Sequence, residues 1–317
     1  MGKLDPVITI DHHFTKEDIS YLYRSGICSY RINPARIGIE RSSAVYEILA
    51  PEASNLKIFF DTLGSKARIG LKDKIGILKR KVVISTQASN EIDIVVPDSF
   101  FDYILEGDRL MVKGITNFYI DIVSKLKEKV IGNCNIENIV VKDKAHIYIK
   151  NRYIRNENIN STDSEIIEKF SDKGIIALSF VDSVELLQKV QKMGHAGCKI
   201  YAKIESPEGI KSLKEIAQLS DGVIIGRDDL SIFYSEKEIQ DITLMCIKQC
   251  NSLGKECIPA SNLFLSLIEN EEISKSELIY LKRLTAEGVK RVYCNETVTC
   301  NNKNIAKKIL CSCQKVV

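Results

Sequence analysis

A lysine and a glutamate two residues apart, Lys203 and Glu205, finish one short apolar run, and Asp228 and Asp229 finish the next. On consecutive parallel strands such endings open onto one mouth. Lys203 and Glu205 would point to the same side, because alternate residues of an extended chain share a face. Glu205 and Asp229 offer the hard carboxylate oxygens that Mg²⁺ or Mn²⁺ takes, with coordination positions left for a substrate. A ketone or enolate oxygen held there would be stabilised as negative charge grows on it. Lys203 adds a compact positive charge for that oxygen or for a transferring phosphoryl group. Each piece alone is ordinary: Lys and Glu two apart recur on exposed strands, and an Asp pair often caps a helix. The combination reads as an active site because neighbouring apolar runs also end in polar residues.

Those endings are Arg31-Ile32-Asn33, Asp61-Thr62, Ala260-Ser261-Asn262 and Asn295-Glu296-Thr297. Arg31 suits an anion clamp, and Arg68, in Lys66-Ala67-Arg68, a second phosphate. The Ser261 hydroxyl is suited to orienting the water or hydroxyl that exchanges a proton at a substrate carbon.

Eight strand-like runs would carry these ends: Val7–Ile10, Ile27–Ile32, Leu56–Phe60, Ile175–Phe180, Cys198–Ile204, Gly222–Ile225, Glu256–Pro259 and Val289–Cys294. The stretches Thr15–Ser25, Ser183–Met193, Gly209–Leu219, Glu238–Leu253 and Lys275–Glu287 repeat apolar residues at three and four, the period of a helix with one buried face. Thr15 with Asp18 reads as a capping box with Asp in place of Glu, and Ser183 as a simple cap. Eight alternating units fit a closed (β/α)8 TIM barrel of the α/β class better than an open sheet. The rhythm breaks between Gly70 and about Asn156, where Val82–Thr86, Ile92–Val96, Arg109–Val112, Ile139–Val141 and His146–Ile149 read as strands. The expected organisation is a barrel of residues 1–70 and 156–317 with a small β-rich domain, 71–155, inserted after the third barrel strand.

Composition limits the partners. Of 317 residues, 44% are hydrophobic and 27% charged, and the formal net charge of +3 is too weak to point to nucleic acid. No segment is apolar enough for a bilayer and the N-terminus lacks an apolar leader. Ten cysteines without a disulfide-like spacing fit a reducing, cytoplasmic interior. His12-His13 is the one histidine cluster and lacks an H-x-x-x-H spacing, so it is read as a loop pair and not a metal site.

From about Ile10 to Ile309 the chain resembles the pyruvate kinase family. The stretches that carry the likeness are SGICSYRIN (Ser25–Asn33), DTLGSKARIG (Asp61–Gly70), EGDRL (Glu106–Leu110), IALSFV (Ile176–Val181), KIESPEG (Lys203–Gly209), SDGVIIGRDDL (Ser220–Leu230), GKECIPASNLF (Gly254–Phe264) and Glu296-Thr297. The resemblance implies phosphoryl transfer between phosphoenolpyruvate and ADP through a metal-bound enolate of pyruvate. It makes Arg31 the grip on the transferred phosphate and Arg68 a contact to nucleotide phosphate. Lys203 becomes the stabiliser of the transition state and enolate, and Glu205 and Asp229 the ligands of Mg²⁺ or Mn²⁺. Asn33, Asp61 and Thr62 match contributors to a monovalent cation site. Ser261 stands where the family has a threonine near the proton-donating water.

The departures are also specific. After Asn33 the family continues Phe-Ser-His-Gly, whereas this chain has Pro34-Ala35-Arg36-Ile37, which removes a serine of the cation site and a histidine near the nucleotide. The family lysine after Asp-Thr is Leu63, and the glycine before the metal aspartate is Asp228. Lys66 resembles the lysine of members that need no potassium, so none is expected here. The chain stops after the eighth unit, and the family's C-terminal domain, with its effector pocket and much of a tetramer interface, is expected to be missing. Partners would be a keto acid or enol phosphate and a nucleotide, with neither nucleic acid nor membrane; a homo-oligomer is compatible. Asp228, Leu63 and Arg36 keep a second activity in play: a metal-dependent enolate enzyme acting as an aldolase, a decarboxylase or a transferase to another acceptor. A non-catalytic binding or regulatory barrel is the third alternative.

Overall fold

A computed structural model describes residues 4–64, 66–113, 116–150, 152–154, 159–294 and 303–316. They pack into two compact units, Met1–Gly64 with Glu157–Val317, and Ser65–Asn156.

The first unit is a closed, all-parallel barrel. Its strands are β1 (Asp5–Thr9), β2 (Ser29–Ile32), β3 (Lys57–Asp61), β12 (Ile175–Leu178), β13 (Lys199–Ile204), β14 (Gly222–Gly226), β15 (Glu256–Ala260) and β16 (Arg291–Tyr293), with β1 closing on both β2 and β16. Strands buried on both faces read as continuous apolar runs, and every residue of Ile175–Leu178 and Gly222–Gly226 is buried. Inside the barrel a layer including Phe59, Tyr201 and Tyr293 fills the bore. Phe59 meets both tyrosines edge-on with ring centroids 5.5 Å apart, the geometry the aromatic quadrupole favours.

Helices close the outside, and their starts follow the sequence. Thr15 accepts from the Asp18 amide while Asp18 accepts from the Thr15 amide, so the capping box forms with Asp. Ser183 caps Val184–Met193. The stretch expected as one helix from Gly209 to Leu219 is two, Pro207–Lys211 and Leu213–Leu219, because Ser212 leaves helical geometry (φ −92°, ψ 11°). The helices Ile39–Leu49 and Ser161–Phe170 were not among those expected from the sequence.

The inserted unit has its own core around Phe118, Ile120, Leu110 and Val112. Its strands are β4 (Ile75–Leu78), β5 (Lys81–Ser85), β6 (Ile94–Val95), β7 (Arg109–Lys113), β8 (Phe118–Lys125), β9 (Lys129–Cys134), β10 (Ile139–Lys142) and β11 (His146–Ile149). They form a six-stranded sheet, β11-β7-β8-β9-β5-β6, and a two-stranded sheet, β10-β4. The long β8–β9 hairpin and β4 add to the strands expected there. Lys125 donates to the carbonyls of Phe101, Asp102 and Ile104 at 2.8–3.1 Å, satisfying carbonyls at the end of the short helix Asp98–Phe101. Among the described residues no helix is long and apolar enough to cross a membrane.

Candidate active site

The C-terminal ends of β1, β2, β3, β13 and β14 bring a charged cluster together at one mouth. Register does the placing: Thr9 pairs with Arg31, Arg31 with Phe59, and Asp61 with Ala177. Asp61, 1% exposed, is the centre. One of its oxygens accepts from Arg31 Nη2 at 2.7 Å and Lys203 Nζ at 3.2 Å, the other from the Tyr293 hydroxyl at 2.7 Å. Burial works against this carboxylate's charge, but the Arg31 and Lys203 cations and the hydrogen bonds prevail and hold its pKa down at about 2.

Lys203 spends its three N–H bonds on Ser179 Oγ at 3.0 Å, Asp61 Oδ2 at 3.2 Å and Glu205 Oε1 at 3.2 Å. Burial disfavours its charge, yet Asp61 and Glu205 push its pKa above the ordinary lysine range. The ammonium is therefore held charged and aimed before any substrate arrives.

Glu205 is 2% exposed, and its second oxygen accepts from the Phe180 amide at 2.9 Å. Phe180 turns into the left-handed region (φ 56°), a conformation that costs a bulky residue about 1–3 kcal/mol. Gly226 makes room on the other side: a Cβ there would lie 2.5 Å from Glu205 Cγ and 2.8 Å from Oε1. The carboxylate thus sits in a cradle that only glycine leaves open. After it, Ser206 caps the helix Pro207–Lys211, accepting from the Gly209 amide at 3.1 Å, which accounts for the Glu-Ser-Pro-Glu-Gly run.

Asp229 is 6% exposed on the short helix that follows β14, and its charge is felt by Lys203. The neighbouring Asp228 is exposed. Arg227 is buried, and burial lowers its pKa. It donates to the carbonyls of Ala260 and Ser261 and lies 5.3 Å from the centre of the Tyr280 ring. That grip holds Ser261 at the end of β15 with φ 66°.

The other sequence-derived residues fall as follows. Arg31 also reaches Thr9 Oγ1 at 3.4 Å and lies 5.5 Å from the Tyr293 ring centre. The Thr62 hydroxyl and carbonyl both accept from Ser179, at 2.9 and 2.8 Å. Asn33 follows β2 as the backbone cap of Pro34–Ile37. Lys66 and Arg68 belong to the inserted unit, where Arg68 donates to the Lys144 carbonyl at 3.1 Å. Asn295, Glu296 and Thr297 lie outside the described residues.

Ser179, Phe180, Tyr293 and Thr9 carry weight that sequence reasoning did not assign. Asp163 is another: it is 3% exposed and accepts from the Leu63 and Gly64 amides at 2.6 and 2.9 Å. It fixes the chain as it leaves β3, although burial raises its pKa. The Asp163 amide in turn donates to Asn160 Oδ1 at 2.8 Å, the cap of a helix not expected from the sequence.

The family described as "Pyruvate kinase, barrel domain" matches residues 13–293. The pyruvate kinase of Aeropyrum pernix is 28% identical over 268 residues, covering 80% of this chain and 57% of its own length. That of Borreliella burgdorferi is 26% identical over 273 residues, covering 83% and 57%. This chain thus spans well under two thirds of those relatives. In fold it resembles the crystal structure of a pyruvate kinase from Pyrobaculum aerophilum, with a TM-score of 0.84 at 18% identity over 99% of this chain and 73% of that one. A pyruvate kinase from Cryptosporidium parvum gives 0.83 at 17% identity over 100% and 70%.

Proposed function

The chain belongs to the pyruvate kinase family of enzymes, and from that premise we propose that it transfers a phosphoryl group between an enol phosphate of pyruvate and ADP with a divalent cation. The single observation carrying this reading is the Lys203 ammonium, held 3.2 Å from both Asp61 and Glu205 inside the barrel mouth.

The residues suit a dication. The cluster sets the buried Asp61, Glu205 and Asp229 beside Lys203 and the half-buried Arg31. Carboxylates grouped in this way offer the hard oxygen ligands that a divalent cation takes. Its candidate ligands, Glu205 and Asp229, supply hard oxygens, and the glycine cradle keeps Glu205 in place. When bound, Mg²⁺ or Mn²⁺ would neutralise negative charge developing on substrate oxygen.

The chain's own groups do the rest. Arg31, anchored by Asp61, presents a guanidinium to the phosphate being transferred. Lys203 stabilises charge on the enol oxygen as the phosphoryl group leaves, at no reorganisation cost because its three partners already orient it. Ser261 holds the water that gives a proton to the enolate carbon, completing pyruvate. The family resemblance assigns Arg68 to nucleotide phosphate and Lys66 to the charge a potassium ion would supply. Asn33, Asp61 and Thr62 then act as a frame.

One observation favours a second reading. Asp228 is exposed on the helix that begins at β14, where its charge opposes an approaching substrate carboxylate. An enzyme that keeps the enolate chemistry but uses another acceptor or a different pyruvate-like substrate would meet that charge differently. The purified protein given phosphoenolpyruvate, ADP and Mg²⁺ should form ATP, at the same rate with or without potassium. Failure of ATP formation with persistent exchange of pyruvate methyl protons into deuterated water would favour the second reading. Failure of both would overturn the enolate assignment.

A further inference from the structure

We propose that Asp11, His12 and His13, on the loop after β1, form a second metal site, suited to a borderline divalent ion of the Zn²⁺, Ni²⁺ and Co²⁺ class. Sequence spacing argued against it, because His12-His13 lacks the H-x-x-x-H spacing that sets two rings on one helix face. The loop overturns that argument. A carboxylate oxygen of Asp11 and a ring nitrogen from each histidine lie within 4.8 Å of one another, and the two rings stand 4.0 Å apart at a 38° tilt.

The loop is fixed at both ends, so little ordering is left for an ion to impose. Ile10 is fully buried and its amide bonds to the Arg31 carbonyl at 2.9 Å; Phe14 is 5% exposed and its amide closes a turn on the Asp11 carbonyl at 3.1 Å. Asp11 itself is 6% exposed and accepts from the His13 amide at 3.0 Å, while both imidazoles are exposed. The capping box at Thr15 secures the helix that follows. The loop therefore pairs one anchored carboxylate with two exposed rings. Metal bonds of about 2.0–2.2 Å would draw the three atoms together by roughly 1 Å, within the reach of exposed rings.

Donor type separates this site from the one at Glu205 and Asp229. Imidazole nitrogen favours the later transition metals, whereas carboxylates alone favour Mg²⁺ and Mn²⁺. Three protein ligands also leave a position for water or an anionic group. The site sits on the mouth side of the barrel, since it follows the C-terminal end of β1.

Titration of the intact protein with Co²⁺ in excess Mg²⁺, followed by visible absorption and calorimetry, tests the assignment. One equivalent should bind with weak ligand-field bands and without the intense thiolate charge transfer that a cysteine site would show. His12→Gln and His13→Gln should each weaken binding at least about tenfold, since even outer partners of a metal contribute 10–100-fold. The double variant should abolish it, with an unchanged melting temperature. Glu205→Gln should leave Co²⁺ binding here intact, which keeps this test separate from the proposed catalytic ion. Binding insensitive to the double substitution, dominated by thiolate bands, or seen only at millimolar Co²⁺ would overturn the proposal.

Discussion

The two ends of the barrel both bury charge, and they balance it differently. At the floor, Arg291 reaches Asp5 at 3.1 Å and Glu256 at 2.5 Å, Ser29 donates to Asp5 at 2.5 Å, Tyr201 donates to Glu256 at 2.8 Å and Lys57 stands 3.7 Å from Glu256. Two carboxylates meet two cations, and the network closes on itself. At the mouth, Lys203 meets both Asp61 and Glu205, Arg31 meets Asp61, and the buried Arg227 and Asp229 stand on the next strand's helix. Backbone there is also strained, at Phe180 and Ser261, and a glycine is reserved for Glu205. The floor network is thus closed among its own side chains, and the proposed reaction would use the mouth.

The sharpest way to break this contrast is to remove one cation from each end. Lys203→Met should lower turnover, whether read as ATP formation or methyl-proton exchange, by about 10³-fold, as loss of a preorganised charge does. Activity within tenfold of the parent would remove Lys203 from the mechanism. Arg291→Met leaves the half-buried Asp5 and Glu256 without their shared partner and should cost about 1–3 kcal/mol of stability, measured by urea denaturation. Turnover per folded molecule should stay level. A variant that kept its stability but lost activity would reverse the roles of the two ends.

Adding Mn²⁺ sharpens the comparison further. An ion that binds only the folded state at a concentration of 100 times its Kd stabilises it by about 2.7 kcal/mol. The parent should gain this increment, and Glu205→Gln should lose it. Gains that survive Glu205→Gln would place the responsible ion elsewhere.

How much of this could be read from residues alone depended on whether one strand or several were involved. Lys203 and Glu205 were legible because their shared face follows from a spacing of two. The eight barrel strands were legible because burial on both faces leaves unbroken runs such as Gly222–Gly226. Ser179 and Tyr293 were not, since their contacts with Lys203 and Asp61 depend on register between strands far apart in sequence. The β8–β9 hairpin escaped although burial alternates along Phe118–Ile122 and Lys129–Cys134. Ile39–Leu49 escaped because it begins at Gly38 without a side-chain cap. The inward aim of Asp11 beside two histidines needed the turn itself.

Acid should reach the mouth through Asp61. Its folded pKa of about 2 lies below the ordinary 3.8, so its contribution to stability is complete above about pH 4 and is lost as pH falls from there toward 2. The difference amounts to about 2 kcal/mol. Asp61→Asn should flatten that part of the stability profile, as measured by urea denaturation between pH 5 and pH 2, limits taken roughly from the same relation. An unchanged acid limb would mean that Arg31 and Lys203 do not hold the carboxylate ionised.

The smallest effect tests the charge count most directly. Lys57 is 42% exposed at its side chain, and burial lowers its pKa more strongly than Glu256 raises it. Its ion pair with Glu256 therefore contributes little, and a partly exposed pair 3.7 Å apart is worth about 0–1 kcal/mol. Lys57→Met should change stability by less than about 1 kcal/mol in either direction. It would also leave the floor with two carboxylates and one cation, an excess of one negative charge. The floor should still bind no Mn²⁺, because Asp5 and Glu256 remain engaged by Arg291, Ser29 and Tyr201. Excess charge then matters only where carboxylates are placed to share an ion. Mn²⁺ binding by Lys57→Met combined with Glu205→Gln, seen by calorimetry, would show that imbalance alone recruits the ion, and the distinction between the two ends would fall.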